Sequence, residues 1–76
     1  MSKIKVFIAD DHKLIREGLK SIFEFEEDIE IVGEAGDGQE AIRKIKETKP
    51  DVVLLDLKMP SADGVTVCRE VLKENP

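Results

Sequence analysis

Two four-residue apolar runs, Val6–Ala9 and Val52–Leu55, each stop on a carboxylate. The first, in VFIADDH, runs into Asp10 and Asp11. The second, in DVVLLDLKMP, runs into Asp56, with Met59 and Pro60 close behind. Unbroken aliphatic runs of this kind read as strands covered on both faces, the habit of a parallel sheet. A charge at the edge of a buried strand is costly unless it has a partner or a task. Ile29–Glu34 is a third segment of strand character, bounded by charge and glycine.

Helical spacing fills the intervals. Over roughly His12–Phe25, residues Ile15, Leu19, Ile22 and Phe23 recur on one face, and Lys13, Arg16, Glu17 and Lys20 take the opposite, solvated one. A second helix is predicted over roughly Gly38–Thr48. Asp37 with Glu40 three residues on has the form of a capping box, Ala41, Ile42 and Ile45 form the inner stripe, and Pro50 disfavours helix at Lys49. A third runs over roughly Gly64–Glu74, with Asp63 as its N-cap and Val67, Cys68, Val71 and Leu72 inward. Strand and helix thus alternate three times, which with short right-handed crossovers gives an α/β layered sheet.

With 76 residues the chain holds one domain at most, and such a chain buries only about 60% of its unfolded surface. Apolar content of 41% beside 38% charged residues suits a folded globular protein, and with no Trp or Tyr the core is aliphatic. A net charge of −5 argues against direct contact with nucleic acid and suits capture of a cation. No apolar run approaches the roughly 20 residues of a membrane span, and Met1–Lys5 has no stretch resembling a signal peptide. The single cysteine, Cys68, has no internal partner, which suits a reducing cytoplasm and a core contact. The acidic run from Glu24 to Glu30 reads as a solvated helix end and turn.

If the first and third strands are parallel neighbours, about 4.8 Å apart, their C-terminal ends share one edge and Asp10, Asp11 and Asp56 converge there. In open α/β sheets ligands bind at that edge. Crowded carboxylates raise one another's pKa unless a cation sits between them, and Mg²⁺ prefers oxygen ligands. The plainer alternative is that each aspartate serves a turn or cap, Asp11 capping the first helix.

The motifs VFIADDH and DVVLLDLKMP, with Asp63-Gly64, resemble the receiver domain of bacterial two-component response regulators. ADDHKLIREGLKSIF and VGEAGDGQEAI resemble its NarL/FixJ class, and the resemblance covers the whole chain. It implies a flavodoxin-like, three-layer α/β fold, here truncated to three strand–helix units with strand order 2-1-3. It implies that Asp56 accepts a phosphoryl group from a phosphohistidine on a sensor histidine kinase. Asp11, Asp56 and the backbone carbonyl of Lys58 would ligate Mg²⁺, and Asp10 would hold a metal-bound water or touch the metal less directly. Met59 and Pro60 would shape the phosphoryl-site loop, and Leu14 and Ile15 on the first helix would lie near the kinase contact. The parent would be a cytoplasmic DNA-binding transcriptional regulator. The domain would be a phosphoacceptor and not an enzyme in its own right.

The chain departs from the family by ending after its third unit, so residues 1–76 are expected to be the N-terminal part of a receiver domain. The fourth and fifth units, with the family's strand-end hydroxyl residue, lysine and aromatic switch residue, are missing, as is the output domain. Impaired phosphorylation is therefore expected, together with self-association through the exposed third-strand edge. Two other readings stand beside this one: a self-associating folding or interaction fragment without chemistry, and a hydrolase using Asp56 and Mg²⁺. The hydrolase reading is weakened because Lys58 stands where a D-x-D motif has its second acid. His12 reads as a solvent-facing helix-start residue. Gly64 reads equally as an ordinary helix-start glycine or one that permits a tight turn. The glycine-rich GEAGDG lacks the order of a nucleotide-binding loop.

Overall fold

The computed structural model describes residues 3–56 together with 66, 67, 69, 70 and 72. The elements are β1 (Ile4–Ala9), α1 (Lys13–Glu24), β2 (Ile29–Ala35), α2 (Gly38–Thr48) and β3 (Val52–Leu55). They form a three-stranded parallel sheet, as the alternation of runs predicts, in the order β2-β1-β3 that the resemblance implies. β1 is central, and its Val6, Phe7, Ile8 and Ala9 are all buried.

Alternation along β1 separates two layers. Phe7 and Ala9 join Ala35, Ala41, Ile45 and Val67 in one core cluster, so α2 covers that face. Ile8 points the other way and shares a groove with Ile15, Leu19, Leu54 and Leu55, between α1 and β3. The register with β2 slips between Val6, opposite Ile31, and Phe7, opposite Gly33. Val32 is thus an extra residue in β2, a bulge that deepens the local twist. It brings Gly33 against the Phe7 ring, where a Cβ would stand 2.9 Å from Cε2.

α2 follows its sequence signals. Asp37 caps it by accepting the Glu40 backbone N–H at 2.9 Å, and Ala41 and Ile45 are buried with Ile42 beside them. The Glu40 carboxylate lies 3.5 Å from Lys44 Nζ. The helix stops at Lys49, which takes a left-handed conformation (φ 49°, ψ 59°) and donates its N–H to Ile45, just before Pro50. β2 runs one residue past the predicted Glu34, to Ala35.

α1 corrects the helical-face reading. Leu19 and Phe23 are half-buried, but Ile15 and Ile22 are 50% and 63% exposed and no residue of the helix is fully buried. The face assigned to solvent, in contrast, contains Arg16, whose side chain is only 16% exposed. Arg16 and Lys20 both reach Glu34 on β2, while Ile15 lines the open groove beside Ile8, Leu54 and Leu55. Positions 66, 67, 69, 70 and 72 are helical, in line with a third helix, and Val67 is buried. Leu72, predicted inward, is 53% exposed. Five residues at 3.6 per turn place it roughly 140° round the helix from Val67. The predicted cap Asp63, together with Gly64, Cys68 and Val71, lies outside the described residues.

Candidate functional site

The sheet ladder continues past the strand ends and fixes where the acids stand. The Asp10 N–H donates to the Ala35 carbonyl at 3.1 Å, and the Asp56 N–H donates to the Ala9 carbonyl at 2.8 Å. Asp10 is therefore tied to β2 and Asp56 to β1 at the same C-terminal edge. The two residues lie far apart in the chain, yet Asp10, Asp11, His12 and Asp56 each bring a ligand atom within 4.8 Å of the others. Asp10 and Asp56 are half-buried, and Asp11 and His12 are exposed. The convergence expected from two strand-end acids is present.

His12 stands exposed at the helix start, as the sequence suggests, and takes a further part that the reading did not assign. It is the N-cap of α1, in extended conformation and without a side-chain cap bond, so Asp11 does not cap the helix. The Asp10 carboxylate accepts the His12 backbone N–H at 2.8 Å, closing a tight turn. The exposed imidazole then bends back, with Nδ1 3.0 Å from Asp10 Oδ1 and 3.0 Å from Asp11 Oδ1. The hydrogen bond to Asp10, followed by the charge of Asp11, raises the His12 pKa above its ordinary 6.5. The adjacency Asp10-Asp11-His12 was the available signal. A histidine after an acid pair can fold back on it once a turn forms.

A second group missed by pattern lies behind the acids. Arg16 Nη1 donates to the Asp10 carbonyl at 2.6 Å, and its Nε donates to Glu34 Oε1 at 2.9 Å. Lys20 bonds the other Glu34 oxygen at 2.5 Å. The Lys20 hydrogen bond, opposed by desolvation and aided by Arg16, holds the Glu34 carboxyl below its usual range, and Glu34 in turn raises Lys20. Glu34 is opposite Ile8 in the register, hence on the face that α1 covers. A lone acid at an inward strand position was the clue that a cation on α1 must meet it.

The donor set of the edge is three carboxylates with an imidazole at their rim. An oxygen-rich cluster suits a hard divalent cation such as Mg²⁺, so the residues present fit such an ion. Lys58, Met59 and Pro60 lie outside the described residues. No helix among those residues is long and apolar enough to cross a membrane.

Comparison with known proteins gives one consistent result. The family model for the response regulator receiver domain matches residues 6–76. The uncharacterised transcriptional regulatory protein YhcZ of Bacillus subtilis is 49% identical over 73 residues, which are 96% of this chain and 34% of that protein. The chain thus spans about a third of this curated relative. Among solved structures, the receiver domain of the NarL regulator of Mycobacterium tuberculosis superposes with a TM-score of 0.93 at 40% identity, covering 99% of this chain and 60% of that one. The response regulator domain of Thermotoga maritima CheB also gives 0.93, at 38% identity, covering 97% and 55%.

Proposed function

The chain belongs to the response regulator receiver domain family, and from that premise we propose that Asp56 accepts a phosphoryl group from the phosphohistidine of a sensor histidine kinase. The P–N bond of the donor breaks as a carboxylate oxygen of Asp56 bonds to phosphorus. One observation carries this reading: Asp10, Asp11 and Asp56, brought from distant parts of the chain, stand with His12 inside a 4.8 Å cluster at the edge where such folds bind ligands. Asp10, Asp11 and Asp56, with the Lys58 carbonyl, would hold Mg²⁺. When bound, that ion screens the charge between the anionic nucleophile and the anionic donor. The protein's own part is placement. The bond from the Asp56 N–H to Ala9 sets where the carboxylate emerges, and the ladder bond at Asp10 sets the facing acids.

Residues 1–76 form the N-terminal part of a receiver domain in this proposal, a reading supported by the 55% and 60% coverage of the solved domains. The work is that of a cytoplasmic phosphoacceptor within a transcriptional regulator, not of a turnover enzyme. On α1, the exposed Leu14 and Ile15 offer an apolar spot for the kinase helices. Calorimetric titration with Mg²⁺ tests the site: saturable heat with the wild type and none with Asp56→Asn is expected, and identical heats reject it. A small phosphodonor with mass spectrometry tests the chemistry. A stable gain of one phosphoryl group, lost in Asp56→Asn, supports it, and multiple turnover without a stable adduct refutes it.

A second reading, self-association, rests on β3. Among the described residues it pairs on one side only, with Val52 exposed at its start. Unpaired strand edges template other chains. A compact monomer by light scattering at high concentration rejects it.

A further inference from the structure

We propose that Arg16 is a positioning residue for the acid pair, holding the Asp10 carbonyl so that Asp10 and Asp11 stay turned toward Asp56. The inference rests on the metal-site reading above and extends it to a residue outside the cluster.

Asp10 is where β1 ends and the chain turns into α1, and its main chain has two fixed points. Its N–H is held by Ala35 in the sheet, and its carbonyl is held by Arg16 Nη1 at 2.6 Å. A carbonyl just past a strand end has no ladder partner by default, so without Arg16 it would turn to water. Asp11 and the Asp10 side chain hang from the peptide that this carbonyl belongs to. Arg16 is itself immobilised. Nε is bound by Glu34, Glu34 is bound by Lys20, and the guanidinium lies against Gly36, where a Cβ would come within 3.2 Å of Nη1. A planar fork that satisfies a carboxylate with one nitrogen and a carbonyl with another is a geometry that lysine cannot reproduce.

Position and charge predict opposite signs. A fixed cation beside a cation site repels the incoming ion, so if Arg16 acted through charge its removal would tighten Mg²⁺ binding. If it acts by holding Asp10, its removal weakens binding, by about ten- to hundred-fold as for other residues that orient metal ligands.

The test titrates Mg²⁺ by calorimetry into the wild type, Arg16→Ala, Arg16→Lys and Lys20→Met, with hydrogen exchange of the His12 amide followed in metal-free protein. The expected result is a Kd raised about ten-fold or more in Arg16→Ala, not rescued by Arg16→Lys, and a smaller rise in Lys20→Met, which frees Glu34 but leaves Arg16 in place. The His12 amide, held by the Asp10 carboxylate at 2.8 Å, should exchange faster in both Arg16 variants. Should Arg16→Ala fail to fold, Arg16→Lys, which keeps the charge and stem but not the fork, decides by the same two readouts. Unchanged or tighter Mg²⁺ binding in folded Arg16→Ala overturns the proposal. If the wild type itself binds no Mg²⁺, the metal-site reading fails, and the His12 amide alone decides: unaltered exchange in the Arg16 variants rejects the positioning role.

Discussion

Replacing Gly33 by alanine presses a methyl group into the centre of the molecule. The new Cβ would lie 2.9 Å from Phe7 Cε2 and 3.1 Å from Cδ2, closer than carbon atoms tolerate, with Thr48 Cγ2 at 3.7 Å. The ring has nowhere to go. Phe7 is fully buried and clusters with Ala9, Ala35, Ala41, Ile45 and Val67. Overpacking of this kind costs about 1–3 kcal/mol. Gly33 has no positive φ, so alanine's stiffer unfolded chain returns about 0.4–1 kcal/mol. The net expectation is a loss of about 1–2 kcal/mol, equivalent to a Tm lower by roughly 4–15 °C for a domain of this size. Urea unfolding read by circular dichroism measures it as a shift in midpoint at constant slope. Phe7→Leu in the same chain shortens the side chain that clashes, so the double variant should lose less than the sum of the singles, with a coupling of about 0.5–3 kcal/mol. A neutral or stabilising Gly33→Ala, or strict additivity with Phe7→Leu, would refute the claim that Gly33 leaves no room for a side chain against this ring.

Three further outcomes follow from local geometry. Lys49→Gly should stabilise the protein by about 0.5–1 kcal/mol in urea unfolding, because a left-handed C-cap suits glycine better than a residue with a Cβ. Asp37→Ala should cost about 1 kcal/mol in the same assay, since it removes the acceptor for the Glu40 N–H at the start of α2. The His12 imidazole, followed by NMR in metal-free protein, should titrate above 6.5. Its folded pKa is raised, so its contribution to stability is complete below the unfolded value and fades as pH rises through the folded one. Asp10→Ala, which removes both the charge and the acceptor, should bring the titration back toward 6.5.

The parallel sheet and the bounds of α2 were legible in the residues because they depend on information that is local or periodic, whereas the strand order, and with it the meeting of Asp10, Asp11 and Asp56, came from the resemblance. Two unbroken apolar runs read as parallel strands, although only β1 is interior among the described residues. Parallel strands end at the same edge, so the acids that terminate them meet once the strands are neighbours. An aspartate three residues before a glutamate caps a helix whatever lies elsewhere.

What the periodicity of α1 could not convey was its rotation about its own axis. Spacing tells which side chains share a stripe, not the angle at which the stripe meets the sheet. Glu34, a single acid on the inner face of β2, holds Arg16 and Lys20 on the sheet side, and Ile15 and Ile22 of the apolar stripe stand exposed. The hold of Arg16 on the Asp10 carbonyl, the return of His12 onto its own acids and the fit of Gly33 against Phe7 are likewise pairings across the fold. They exist only once a bulge, a turn and a helix axis have been set in three dimensions, and no one-dimensional pattern records those.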